Sequence, residues 1–263
     1  MADGMVDLLQ EKRALARRRA YETPLEVLNP AWASAFRDDS FWPYFERLRA
    51  EDPVHWTPDS NYGAFWSITK YNDIMAIDTN HQVFSSAKGI GLSPKPSILP
   101  PDAFIQREVR EGETADDTNS FINMDPPGHD IQRKTVSPGV APARLAEMAP
   151  QIRERAGLIL DSLPIGEPFD WVDLVSKELT TMTLATLFDF PFEERRKLTM
   201  WSDTMTTAPG HGPWNTYAER RQLLADCRNY FVDLWNQRVN AEPGGDLISM
   251  LAHGADTRNC SMD

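Results

Sequence analysis

At 263 residues the chain is long enough to bury a sizeable core, as one large domain or two small ones. Its 25% charged and 41% hydrophobic residues are ordinary for a soluble globular protein, and a formal charge of −12 argues against nucleic acid, whose phosphates need a basic surface. The two cysteines, Cys227 and Cys260, are far apart and lack CxxC spacing, which argues against a disulfide framework or a zinc site and fits a reducing cytoplasm.

The opening segment VDLLQEKRALARRRAY carries a basic cluster at Arg17, Arg18 and Arg19. It reads as a solvated, partly frayed surface helix, with contact to membrane lipid as the rival reading. No apolar run approaches the ~18 residues of a membrane span, and no apolar secretory core opens the chain. Pro24 and Pro30 interrupt what remains of residues 1–40, which read as an N-terminal extension. Asp39 or Ser40 can cap a helix from Trp42, with Pro43 in its first turn and its end near Glu51. PVHW and GAFWSIT then read as two short strands joined by PDSNYG, and KYNDIMAIDTN as a short helix capped by Asn72 or Asp73.

From Val83 to Thr118 the pattern dissolves into one long loop crowded with Gly and Pro. Its first half mixes small residues with Ile90, Leu92, Ile98 and Leu99, as a binding loop would. Its later half, REVREGETADD, reads as solvated charge.

Further along, the chain turns strongly helical. Leu145, Met148, Ile152, Ala156, Ile159 and Leu163 recur at gaps of three and four, the mark of an amphipathic helix running to Pro164 with Pro150 early in it. WVDLVSKELTTMTLATLFDF is apolar on several sides and predicts a central buried helix. FEERRKLTMWSDTM predicts another, APGHGPW breaks the pattern, and a long helix follows through Leu223, Cys227, Phe231 and Leu234. AEPGG stops that helix and DLISMLA supplies a last short one. With no repeats or low-complexity linker, residues 41–263 read as part of one mainly α domain with a small β-sheet.

Several catalytic patterns are missing: no GxSxG elbow, no phosphate loop, no HExxH zinc helix, and five histidines without ligand-like spacing. What stands out is MDPPGHDIQRK. Asp125 can cap a helix whose first two positions are Pro126 and Pro127, where a missing amide hydrogen matters little. His129 and Arg133 then fall one turn apart on the same face, about 5–6 Å between Cβ atoms. Two such donors, one of them a permanently charged fork, suit an anionic group such as a carboxylate.

DPPGHDIQRK resembles the DPPxHxxxR segment of soluble bacterial cytochromes P450. EDPVHW, GAFWSITKYNDIMAI, VFSSAKGIG, DLVSKELTTMTLATLFDFPFEERRKLTMWSD and GGDLISMLA resemble other segments of that family in the right order, from Pro30 to Asp263. The run MDPPGHDIQRKTVSPGVAP looks most like the alkane-hydroxylase class, which oxidises terminal methyl groups. The resemblance implies the N-terminal part of the cytochrome P450 fold and a haem cofactor whose propionates His129 and Arg133 hold. It also implies a hydrophobic substrate lined by Ile90, Leu92, Ile98, Leu99, Phe121 and Ile122, with Trp201 and Met205 as weaker candidates. Electrons would come from a ferredoxin and its reductase in the cytoplasm, and the reaction would hydroxylate a medium-chain alkane or fatty acid with O2. A terpenoid or steroid substrate is the runner-up, and a catalytically silent helical binding module is the rival from another class.

The family's iron-binding thiolate sits in a glycine-rich loop near the C-terminus of longer chains. Neither cysteine here lies in such a loop, so Cys227 reads as a core residue and Cys260 as incidental. GADT (Gly254–Thr257) imitates the oxygen-helix signature but reads as a loop, and ERLR and EERR imitate the family's Glu-x-x-Arg pair. The chain therefore reads as an N-terminal portion, inactive alone, that exposes apolar surface.

Overall fold

The computed structural model describes residues 2–87, 89–92, 94–95, 97 and 121–259. They divide into two compact units, Met1–Phe104 and Ile105–Asp263.

The first unit runs α1 (Ala2–Glu22), a 3-10 turn Leu25–Val27, α2 (Ala33–Arg37), α3 (Trp42–Glu51), β1 (Val54–Thr57), β2 (Phe65–Ile68) and α4 (Tyr71–Asp78). Ala16 and Ala20 lie one turn apart on α1, and both are buried in a cluster with Leu28, Tyr44 and Leu48. The helix expected to be solvated and frayed is therefore anchored, because two alanines let its backbone approach α3 closely. The buried Arg47 of α3 donates from Nη1 to the carbonyls of Ala20 and Thr23, both at 2.6 Å, and so satisfies the C-terminal end of α1. Arg13–Asp39 and Arg17–Glu46 ion pairs, at 2.5 and 2.9 Å, tie the outer face of α1 to the same region.

The strands pair antiparallel, with Val54 opposite Ile68 and Trp56 opposite Trp66. Alternation turns His55 and Thr57 inward and Trp56 outward, where its ring meets that of Trp66 at 4.9 Å. His55 is a satisfied core histidine, held by Asp52 Oδ2 and the Leu28 carbonyl, each at 2.7 Å.

Both predicted caps in this unit give way to backbone. The residue before α3 is Phe41, without a side-chain cap, and that before α4 is Lys70. Asp39 instead accepts from Trp42 Nε1 at 2.8 Å and pairs with Arg13, and Ser40 Oγ donates to the Ala35 carbonyl. Asn72 and Asp73 fall inside α4.

The second unit opens with a 3-10 turn, Phe121–Asn123, followed by α5 (Gly128–Val136) and α6 (Pro142–Asp161). A π-helical turn, Val172–Lys177, leads into α7 (Glu178–Phe188), then α8 (Arg196–Thr206), α9 (Tyr217–Val239) and α10 (Leu247–His253). Helices α7, α8, α9 and α10 pack in succession around Ala185, Phe190, Leu198, Trp201, Leu234, Trp235, Ile248 and Ala252. Polar residues fix the starts of two of them. Thr216 and Glu219 form a reciprocal capping box on α9, and Asp246 accepts the Ser249 amide at 2.9 Å to cap α10.

The segment expected to be a central buried helix is enclosed along α7 but exposed at its start. Thr181 and Ala185 are inside, while Val172 and Leu174 on the π turn are 56% and 37% exposed. On α7 itself α6 covers a second side, Arg155 Nη1 donating to the Met182 carbonyl at 2.8 Å and to Thr186 Oγ1 at 2.7 Å. Glu178 fixes the side toward α8, accepting from Arg195 Nε and Nη2 at 2.8 and 2.5 Å and from Arg196 Nε at 2.7 Å. Helix α6 likewise buries Met148 and Ile159 but leaves Leu145, from its predicted apolar face, 47% exposed.

The imitations of family signatures resolve as structure of other kinds. GADT lies in the turn after α10, where Thr257 is buried and donates to the Leu251 carbonyl at 2.6 Å. In ERLR, Glu46 pairs with Arg17, and in EERR, Arg196 turns to Glu178 and Asp173. The result is a mainly helical chain with a two-stranded sheet among the described residues, as the sequence predicts.

Candidate functional site

The helix that carries His129 and Arg133 begins later than the sequence suggests. Pro127 precedes its first residue, Gly128, and no side chain caps it. The main chain does that work: the His129 amide donates to the Asp125 carbonyl at 3.2 Å, and the Ile131 amide to the Pro127 carbonyl at 3.1 Å. The two prolines thus stand ahead of the helix rather than in its first turn, and the carbonyls of Asp125 and Pro127 accept its first backbone bonds. The Pro126–Pro127 peptide bond is cis.

Two close approaches seat α5 on α10. A Cβ on Gly139 would lie 2.5 Å from Leu247 Cδ2, and one on Gly254 would lie 2.8 Å from Thr135 Cγ2. Ser137 closes the C-terminal end, its amide and its hydroxyl both donating to the Arg133 carbonyl, the hydroxyl at 2.6 Å. The C-terminal end of the helix is thereby held against α10.

On that helix His129 and Arg133 do occupy one face, four residues apart. The His129 side chain is 28% exposed, and its Nδ1 lies 3.0 Å from Asp130 Oδ1. Phe121 stacks flat on the imidazole, with ring centroids 5.0 Å apart and planes 6° apart. The ring is thereby oriented from its face and from one nitrogen, which leaves Nε2 for another partner. The exposed Arg133 guanidinium has no partner among the described residues, and neighbouring Lys134 is exposed as well. A cationic fork and an oriented imidazole, side by side and open to solvent, can bind a carboxylate or a pair of them. The site fits the acidic edge of a planar cofactor.

The other predicted residues fall in both units. Ile90 and Leu92 belong to the first unit, 64% and 49% exposed, and Ile98 and Leu99 lie outside the described residues. Phe121 serves the imidazole stack, and Ile122 beside it is 54% exposed. Trp201 is enclosed in the core, edge-on to Phe190 and close to Tyr230 and Phe231. In this arrangement α8 turns the indole toward Tyr230 and Phe231 of α9. Met205, one turn further, is 63% exposed. Sequence reasoning missed Asp130 as the partner of His129, although a carboxylate next in sequence to a histidine was the available signal.

Cys227 does not fit an iron ligand. It packs half-buried against the core, and burial pushes its thiol up to about 11, which favours the protonated form over the thiolate. Cys260 lies outside the described residues. Among the described residues no group of three His, Cys, Asp or Glu could hold a metal ion, and no helix is long and apolar enough to cross a membrane.

No family model matches the chain. Linalool 8-monooxygenase of Pseudomonas putida is 31% identical over 212 residues, 80% of this chain and 50% of that protein. Steroid C26-monooxygenase of Mycobacterium tuberculosis is 29% identical over 216 residues, 79% of this chain and 46% of that protein. The chain therefore spans about half the length of these curated relatives. Among solved structures, cytochrome P450-153 from Novosphingobium aromaticivorans superposes with a TM-score of 0.72 at 37% identity, covering 89% of this chain and 55% of that one. CYP153D17 from Sphingomonas sp. gives 0.70 at 39% identity, covering 88% and 54%.

Proposed function

The chain belongs to the cytochrome P450 family, and from that premise we propose that it forms the propionate-holding part of a haem-thiolate monooxygenase. The observation that carries this reading is the pairing on α5 of an unpartnered Arg133 guanidinium with an imidazole already oriented by Phe121 and Asp130. Bound haem would supply the activation of O2 that inserts one oxygen atom into an unactivated C–H bond. Arg133 would hold one propionate through its fork, and His129 would donate to the other from Nε2. Phe121 and Asp130 would keep that imidazole from turning away. Electrons would arrive from a ferredoxin and its reductase.

The resemblance of MDPPGHDIQRKTVSPGVAP to the alkane-hydroxylase class, with the two solved structures above, supports a terminal methyl of a medium-chain alkane or fatty acid as the reacting group. The names of the linalool and steroid relatives favour a terpenoid or steroid as the second reading. Competitive turnover of octane, linalool and a sterol side chain separates the two.

The reaction itself is tested by the spectrum of the reduced, CO-saturated protein expressed from its complete reading frame. A red-shifted Soret band supports thiolate-ligated haem. Its absence sinks the monooxygenase reading and leaves a silent module with this fold.

A further inference from the structure

His55 is buried on the inner face of β1, 2% exposed, and the haem site makes no use of it. Its two ring nitrogens meet two different parts of the first unit. Nδ1 lies 2.7 Å from Oδ2 of Asp52, the residue that ends α3, and Nε2 lies 2.7 Å from the carbonyl of Leu28, which follows the turn Leu25–Val27. Asp52 is 39% exposed, so solvent supports its negative charge. A carboxylate and a peptide carbonyl are both acceptors with no hydrogen to give. A neutral imidazole has one N–H, and either tautomer would set a lone pair against an oxygen at 2.7 Å. Both contacts are satisfied by a ring that carries hydrogen on each nitrogen, an imidazolium closed by the Asp52 carboxylate.

The second proton has a structural consequence. Leu28 is 1% exposed and packs with Ala16, Ala20, Tyr44 and Leu48, so water cannot replace the ring at its carbonyl while the turn stays in place. Helix α1 has its own tie, because Arg47 of α3 holds the carbonyls of Ala20 and Thr23. What the proton holds against β1 is the stretch that follows, residues 24–28. The other titratable groups on neighbouring elements do not substitute for it. Arg47 pairs with Glu51, Ser67 opposite His55 on β2 is neutral, and burial pushes the Tyr44 hydroxyl up, so that it keeps its proton. Glu22, Glu26, Arg49 and Lys70 are exposed.

We propose that His55 is a proton-operated latch. As an imidazolium it fastens residues 24–28 to the corner where α3 meets β1, and on losing one proton it releases that stretch while α1 stays on α3. The latch lies within the first unit and does not rest on the haem reading.

The test is long-range proton–nitrogen NMR of the full chain, isotopically labelled at its five histidines, with hydrogen exchange followed by mass spectrometry. At neutral pH one histidine should show hydrogen on both ring nitrogens. Asp52→Asn, whose amide can donate to Nδ1, should turn that signal into a ring with a bare nitrogen. The pH is then raised until the parent ring loses one proton. In that step the amides of Val27 and Leu28, which donate within the turn at 3.2 and 3.1 Å, should exchange about tenfold faster than the change in intrinsic rate explains. The amides of residues 16–20 on α1 should keep their protection. In Asp52→Asn the neutral ring satisfies both partners, so the acceleration should vanish; the parent's two readings carry the test if that variant does not fold. A bare nitrogen in the parent at neutral pH, a ring that keeps both protons until the chain unfolds, unchanged exchange across the step, or the same acceleration in Asp52→Asn would each overturn the proposal.

Discussion

Replacing Gly254 with alanine should destabilise the second unit far more than one methyl group suggests. The added Cβ would lie 2.4 Å from Thr257 Oγ1, 2.8 Å from Thr135 Cγ2 and 2.9 Å from the Met250 carbonyl oxygen. The last contact is backbone, so rotating a side chain cannot relieve all three. Overpacking of this kind costs about 1–3 kcal/mol. The displaced Thr257 hydroxyl also donates to the Leu251 carbonyl at 2.6 Å from a residue only 2% exposed, and losing that bond adds about 0.5–1.5 kcal/mol. The sum, about 2–4 kcal/mol, corresponds to a fall in Tm of roughly 4–16 °C for a protein of this size. Thermal unfolding followed by circular dichroism measures it. Thr257→Ala in the same chain removes one clash, so the double variant should lose less than the two single losses added together. A Gly254→Ala melt within about 1 °C of the parent would refute the close-packing argument, and with it the claim that α10 sets the position of α5.

Glu178→Gln should lower stability by about 1–2 kcal/mol, measured by urea unfolding, because one carboxylate serves Arg195 and Arg196 while the 42% exposure of Arg196 lets solvent screen part of the loss. The exposed pair Arg144–Glu147 is the control, and Arg144→Gln there should change stability by less than about 0.5 kcal/mol. Cys227 should react with a thiol reagent at pH 8 about a hundredfold more slowly than an ordinary thiol, since burial moves it from 9.0 to about 11. The folded state holds that proton longer than the unfolded chain, so Cys227 contributes stability that is complete below pH 9 and is lost as pH rises toward 11. Cys227→Ser should remove that alkaline slope.

Much of the helical order was legible because the patterns were strong. The spacing around Leu223 to Leu234 matched α9, and AEPGG marked its end. The strands followed from β-branched and aromatic residues on either side of a turn. The side-chain caps that do form, Thr216 on α9 and Asp246 on α10, each reach the third amide, and neither was read from the sequence. The predicted caps missed the helix starts, which fall after Phe41 rather than Asp39 or Ser40 and after Pro127 rather than Asp125. Helix α1 was underestimated because its anchoring residues are alanines, which carry little hydrophobic signal but permit close approach. At the site, sequence placed His129 and Arg133 on one face. The stack of Phe121 on His129 joins a 3-10 turn to a helix across two prolines, and spacing alone does not reveal such a contact. The core packing of Trp201 was not legible for a related reason: periodicity identifies an apolar face without saying whether a ligand or the core meets it.

The claim on which the rest turns is that α5 holds the acidic edge of haem. Haemin titrated into the chain and into Arg133→Ala, followed by Soret absorbance alongside a thermal melt, tests it in one comparison. Arg133 is exposed and unpartnered among the described residues, so its removal should leave Tm within about 2 °C. The account predicts that haem affinity nevertheless falls about tenfold, the worth of one charge-assisted fork. Equal haem affinity in the two proteins would contradict it.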